Sequence, residues 1–99
     1  MRIYGLHHLQ LAIPRDAEDA ARAFYAGVLG LREVAKPPHL ARRGGVWFEL
    51  GALQLHLGVE DDFRPAKKAH PAATTERLSR LLSFHTRSAT CHQPLSGMW

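Results

Sequence analysis

Two short stretches of this chain alternate apolar and polar residues with a period of two, which is the pattern of half-buried β-strands. They cover residues 5–14 and 53–58. In each stretch the leucines share one face, and one histidine, His8 or His56, falls on the opposite face. If both strands belong to one sheet, the alternation predicts a polar face that carries two imidazoles and a leucine face that a helix can cover.

A helix is predicted directly after the first strand. Asp16 is the predicted N-cap, and the acidic residues that follow it suit the positive end of the helix dipole. Gly30 is predicted to end the helix in the left-handed conformation. Apolar residues recur at three- and four-residue spacing and so form one apolar stripe along the predicted helix. They are Ala17, Ala21, Phe24, Tyr25 and Val28.

Three further strands complete the predicted α+β order β, α, β, β, β. Residues 31–34 predict a short strand, which the prolines at 37 and 38 interrupt because proline cannot donate to a ladder. Residues 36–45 then predict a loop. Residues 46–50 are aromatic and β-prone, and two residues join them to the second histidine strand, which predicts a hairpin.

The pattern weakens in the last third of the chain. Residues 69–73 predict the beginning of another strand, and Thr74 or Thr75 is a candidate cap for a short helix that carries Leu78, Leu81 and Leu82. Beyond residue 84 no period is recognisable. We therefore expect one module over residues 1–73, which includes the start of a second module, and a divergent tail over residues 74–99.

Length, charge and cysteine content limit the possible functions. The 99 residues suffice for one small domain, and the net charge of +4 is spread along the chain, which favours a solvated surface over nucleic-acid binding. One cysteine cannot form an internal disulfide, and no segment approaches the roughly 20 apolar residues of a membrane helix. We expect a cytoplasmic protein that binds neither nucleic acid nor membranes.

The polar face supplies the candidate site residues. Neutral imidazole is a common metal ligand, so His8 and His56 predict a metal site, although both side chains can equally be hydrogen-bonded in a cleft without metal. Two imidazoles need further ligands, and His70 is a third candidate. Candidates for contact with a small ligand are Gln10, Gln54, Trp47 and Phe63.

Four segments of the sequence resemble the glyoxalase, bleomycin-resistance and extradiol-dioxygenase proteins, the vicinal oxygen chelate superfamily. These segments read LHHLQLAIP, AFYAGVLGL, GGVWFELGALQLHLGVEDDFRP and KAHPA. The resemblance spans residues 3–73. It implies a βαβββ module that pairs with a second such module around a cleft.

The resemblance also implies a divalent metal, such as zinc, nickel, manganese or iron. His8 matches the family's usual first ligand, His56 matches another ligand position, and His70 matches the ligand that opens the second module. Substrate oxygens would then chelate the metal, whose Lewis acidity stabilises developing negative charge.

This sequence departs from the family pattern in its last third. Residues 74–99 bear little likeness to the expected helix and strands, and no glutamate follows Glu76, so the usual carboxylate ligand is missing. We therefore expect an incomplete second module.

The sequence leaves three functions open. One is a metal-dependent lyase, isomerase or dioxygenase, in which two chains form a homodimer and complete each other's cleft. Another is a metal-free protein that binds a small molecule, as bleomycin-resistance proteins do. The third is a truncated domain without activity.

Overall fold

The computed structural model describes residues 1–74 and, for the backbone alone, residues 81–83. The chain divides into two units, Met1–Phe63 and Arg64–Trp99. The first unit follows the predicted order of elements, with one additional short helix. Its elements are β1 (His8–Ile13), α1 (Glu18–Ala21), a π-helical segment (Arg22–Val28), β2 (Glu33–Val34), α2 (Pro38–Ala41), β3 (Val46–Leu50) and β4 (Leu53–Val59).

The four strands of the first unit form one sheet in the order β1-β4-β3-β2. β1 runs parallel to β4, whereas β4 with β3 and β3 with β2 are antiparallel. A parallel pair cannot be joined by a tight turn, so the helix, β2 and β3 all lie between β1 and β4 in the chain. The predicted α+β class and the hairpin between β3 and β4 are therefore confirmed.

The helix covers the leucine face, as the sequence predicts. The rings of Tyr25 and Phe48 lie 5.7 Å apart between centroids, and Tyr25 is fully buried. Burial of large apolar side chains is the main source of stability for a unit of this size. The buried apolar residues are Ile13, Ala21, Phe24, Tyr25, Val46, Phe48, Leu55 and Leu57.

The predicted start of the helix is wrong. Ala17, not Asp16, is the N-cap, and no side chain bonds the free N–H groups there. Asp16 instead has a φ of 64°, a left-handed conformation that aspartate tolerates better than most residues. The positive φ of Asp16 is unusual for an N-cap residue, and the helix begins one residue later, after Ala17, whose φ is −97°.

The end of the helix is partly as predicted. Gly30 does stop it with a φ of 76°, but Val28, predicted to be on the apolar stripe, is 69% exposed. The N–H of Leu29 donates to the Phe24 carbonyl at 2.9 Å, five residues back, which is the spacing of a π-helix. This wider turn rotates the following residues relative to an α-helix, and Val28 consequently leaves the core-facing side.

The segment predicted as a loop before β3 contains the short helix α2. Pro38 occupies its first turn, where a missing N–H costs nothing because that group would have no helical partner. The segment ends in Gly44 and Gly45, with φ values of 73° and 87°. Within the described ranges, no helix has the length and apolar composition to cross a bilayer.

The second unit contains an antiparallel pair, β5 (Ala72–Thr74) and β6 (Leu81–Ser83). The sequence predicts a helix through Leu81 and Leu82, and that prediction is wrong for these two residues. A short apolar run fits a strand or a helix equally well by periodicity, so pairing with β5 decides its conformation. Leu78 and the predicted tail beyond residue 84 lie outside the described residues.

Candidate functional site

Strand register places both candidate histidines on the same face of the sheet. His8 pairs with Gln54 and Gln10 pairs with His56 between β1 and β4, and Trp47 pairs with His56 between β3 and β4. Paired residues point to the same side of a sheet, so these five side chains share the polar face. The face lies opposite the helix, on the side that the leucines do not occupy.

Three of these side chains form a continuous stack of rings. The Trp47 and His56 ring centroids lie 3.7 Å apart with planes at 5°, and those of His56 and His8 lie 4.3 Å apart at 16°. His56 is the middle ring and is only 6% exposed, while His8 is open to solvent. The stack limits the rotation of His56 and presents His8 at its outer end.

Hydrogen bonds orient the two imidazoles. His56 Nε2 lies 2.8 Å from the Gln54 amide oxygen, which can only accept, so Nε2 donates and Nδ1 retains the lone pair. His8 Nδ1 lies 3.0 Å from Nδ1 of His7. Of these two nitrogens one must donate and the other accept, so His7 and His8 hold complementary tautomers when both are neutral.

The surroundings of His56 favour its neutral form. Burial lowers its pKa, and the nearby His8, His7 and Lys36 lower it further. A neutral imidazole is the form that donates a lone pair to a metal or accepts a hydrogen bond. His56 is therefore chemically suited to either role at neutral pH.

The remaining candidate residues lie elsewhere. His70 belongs to the second unit, where its Nδ1 bonds the Lys68 carbonyl at 2.8 Å, and Phe63 is half-buried at the end of the first unit. Among the described residues, no group of three or more histidine, cysteine, aspartate or glutamate side chains is placed to hold a metal ion. The structure thus brings His8 and His56 together with Gln10, Gln54 and Trp47, and leaves the roles of His70 and Phe63 as predictions.

A cleft of about 270 Å³ adjoins the ring stack at Trp47. We call it the Trp47 cleft; its lining residues are Gln10, Lys36, Leu40, Arg43, Gly44, Trp47, Leu57, Gly58 and Val59. Sequence reasoning missed Lys36 and Arg43, because both lie in a predicted loop whose charges resemble an ordinary solvated surface.

A small set of polar contacts holds the wall of the Trp47 cleft. Lys36 Nζ donates to the Gly44 carbonyl, and the N–H of Gly45 donates to the Glu18 carboxylate at 2.8 Å. That second bond is the main reason why the pKa of Glu18 is lowered. On the floor, a side chain at Gly58 would collide with the Gln10 amide, so the glycine leaves space for that amide to lie over β4.

Comparison with solved structures shows similarity to glyoxalase-type proteins. A solved structure described as a glyoxalase family protein from Bacillus anthracis is 32% identical, with a TM-score of 0.68, over 84% of this chain and 88% of that chain. Lactoylglutathione lyase from Agrobacterium tumefaciens is 33% identical over 59% of this chain and 39% of its own, with a TM-score of 0.44. No protein-family model and no curated protein matches the sequence.

Proposed function

This chain belongs to the glyoxalase family, and we propose that its polar face binds a divalent metal ion through His8 and His56 for chemistry on a small oxygen-bearing substrate. The observation that carries the proposal is the contact between these two imidazoles, 4.3 Å apart on adjacent parallel strands. Zinc, nickel, manganese and iron all accept imidazole nitrogen. The reaction class would be that of a lyase, an isomerase or a dioxygenase.

The side chains around the pair fit this role in part. Burial lowers the pKa of His56 and so favours its neutral form. Gln54 orients the ring through a hydrogen bond to Nε2, which is the kind of supporting bond that metal-binding histidines use. Two imidazoles leave further coordination positions to be filled. His70 is the family-based candidate for one of them, and a second copy of the chain is the alternative source.

A homodimer would supply four imidazoles from two polar faces. Two features of the first unit support association. In the four-stranded sheet of the described residues, β1 is an edge strand with one unpaired side, and Ile3, Tyr4 and Leu6 just before it are exposed. Unpaired strand edges and exposed apolar side chains are typical of surfaces that another chain covers.

The protein's own groups would position the substrate. A bound ion would polarise substrate oxygens as a Lewis acid. The Gln10 amide, on the same face as His56, is free to donate to a substrate oxygen or accept from a hydroxyl. The Trp47 ring would exclude water from one side of the site.

Metal content and molecular mass, measured on the same preparation, test the proposal. We expect a dimer that retains stoichiometric metal by elemental analysis after gel filtration, and we expect His8→Ala to lose that metal. His39→Ala is the matched control, because His39 is exposed on α2, outside the ring stack. A monomer that remains metal-free after incubation with each of the four ions would contradict the proposal.

One observation favours a second candidate, metal-free binding of a small molecule. His56 already uses Nε2 in a hydrogen bond to Gln54, and its two ring faces already contact Trp47 and His8. In this case the histidines support the shape of the site without a metal. His8→Ala would then change ligand affinity by no more than a few-fold, whereas the metal-dependent function predicts its loss.

A further inference from the structure

The charges that line the Trp47 cleft are unbalanced. Lys36 and Arg43 contribute two cationic groups, and no carboxylate from the described residues lines the same cleft. The other polar lining side chain is the neutral Gln10 amide. A concave surface that presents positive charge and amide hydrogen-bond donors attracts anions.

We propose that the Trp47 cleft binds the anionic group of a small ligand, a carboxylate, phosphate or phosphonate, through Arg43 and Lys36. The Trp47 ring would pack against the ligand's apolar part. This inference rests on the proposed function only in assigning the ligand's other end to His8 and His56, which adjoin the cleft through the ring stack.

Arg43 differs from three of the other five arginines of the first unit, each of which has an acidic partner. Arg15 is paired with Asp61, and Arg32 is paired with Glu49. Arg22 contacts two carboxylates, those of Asp19 and Glu33. In the part of the chain that the structure describes, no such ion pair involves Arg43. Its guanidinium is therefore available for a two-point contact with a carboxylate or phosphate, which is the geometry that arginine provides best.

Lys36 has a supporting role. Its Nζ donates to the Gly44 carbonyl, which places the ammonium at the cleft wall. The Glu18 carboxylate interacts with Lys36 electrostatically, but it bonds the Gly45 N–H and lines a different depression with Asp16 and Asp19. The charge of Lys36 is thus partly balanced, and Arg43 supplies most of the attraction.

The volume of the cleft restricts the ligand. At about 270 Å³ it lies just below the range of roughly 300 to 1,000 Å³ that is usual for drug-sized molecules. It can hold an anionic group with one ring or a short chain, but not a large antibiotic. A cationic ligand is also disfavoured, because Arg43 and Lys36 would repel it.

Phenylphosphonate is a suitable probe, because it joins one aromatic ring to one anionic group. Trp99→Phe leaves Trp47 as the single tryptophan, and its fluorescence then reports occupancy of the cleft. In metal-free protein at fixed ionic strength we expect saturable binding. Arg43→Gln should weaken it about tenfold, Arg43→Lys less, and Arg42→Gln by less than twofold. Arg42 is the matched control, since it carries the same charge next to Arg43 but does not line the cleft.

Calorimetric titration of the chain with Trp99 intact provides a second measurement that does not depend on fluorescence. Equal weakening by Arg42→Gln and Arg43→Gln, or equally tight binding of uncharged benzyl alcohol, would overturn the inference. His8→Ala should change phenylphosphonate affinity in metal-free protein by no more than a few-fold, because His8 reaches the cleft only through the ring stack, while abolishing metal retention. If the unsubstituted protein retains no metal but Arg43→Gln still weakens phenylphosphonate binding, only the proposed function is refuted. If metal is retained but Arg43→Gln does not weaken phenylphosphonate binding, only this inference is refuted.

Discussion

Trp47 and His56 stack face to face across β3 and β4, with ring centroids 3.7 Å apart and planes only 5° from parallel. The contact links the two parts of the polar face, because Trp47 lines the cleft and His56 touches His8. A ligand that displaces the Trp47 ring would consequently change the positions of both imidazole rings. The stack is therefore the element through which the cleft and the histidine pair influence each other.

Replacing Trp47 should test the stack directly. We expect Trp47→Ala to lower the free energy of unfolding by about 2 to 3 kcal/mol, and Trp47→Phe by about 1 kcal/mol, because phenylalanine retains a flat ring opposite His56. Urea denaturation followed by circular dichroism measures both values. His39→Ala, at an exposed site on α2, should change stability by less than 0.5 kcal/mol, which is about the usual limit for surface positions. Equal stability of the alanine and phenylalanine variants would refute the importance of stacking.

Gly45 should not tolerate a side chain. Its φ of 87° disfavours other residues, and an added Cβ would collide with the Leu57 carbonyl oxygen. We expect Gly45→Ala to destabilise the protein by about 2 to 4 kcal/mol. Gly27→Ala is the control, since an added Cβ in this helical segment would make only an ordinary contact, 4.0 Å from the Arg22 carbonyl oxygen, and the substitution should gain about 0.5 to 1 kcal/mol. Similar midpoints of chemical denaturation for the two variants would contradict the described path of this loop.

Glu18 should contribute to stability in a pH-dependent way. Its pKa is lowered from 4.5 mainly by the N–H of Gly45, so the folded protein releases this proton more readily than the unfolded chain. The contribution is complete above pH 4.5 and is lost as the pH falls through the lowered pKa. We expect Glu18→Gln to cost about 1 kcal/mol at pH 7, a modest value because the carboxylate is partly exposed, and to cost less at pH 3. Glu60→Gln, at an exposed site after β4, is the control for the loss of one surface carboxylate.

Tyr25 should make the fold sensitive to alkali. Burial raises its pKa from 10.0 to about 12, so the unfolded chain loses the phenolic proton before the folded protein does. The contribution of Tyr25 is therefore complete below pH 10.0 and declines between pH 10.0 and about 12, by about 1 kcal/mol at pH 11. Tyr25→Phe should remove this part of the decline, as measured by urea denaturation from pH 9 to 11. Tyr4→Phe should leave it unchanged, because Tyr4 is 93% exposed.

The predictable part of the fold is the part that local alternation controls. Residues on one face of a strand must alternate with those on the other, so His8 and His56 could be assigned to one face from spacing and a shared sheet. The hairpin between β3 and β4 follows from its two-residue connection for the same local reason. The helix stop at Gly30 depends only on the freedom of glycine at positive φ.

The features that sequence reasoning missed depend on distant contacts or small shifts of register. The Trp47 cleft exists because the segment before β3 returns to the sheet, where Gly45 approaches Leu57 and bonds Glu18. No local pattern encodes that approach. The exposure of Val28 likewise follows from one wider helical turn after Phe24, which shifts every later residue away from the positions that a period of 3.6 predicts.

The parallel pairing of β1 with β4 has a consequence for how the site is made. β1 and β4 lie near opposite ends of the first unit's sequence. The two imidazoles therefore meet only after almost the whole unit has folded. During synthesis on the ribosome, a nascent chain that ends before β4 carries His8 with no counterpart and has no formed pocket. Binding competence should thus arrive together with completion of the sheet, when β4 pairs with β1.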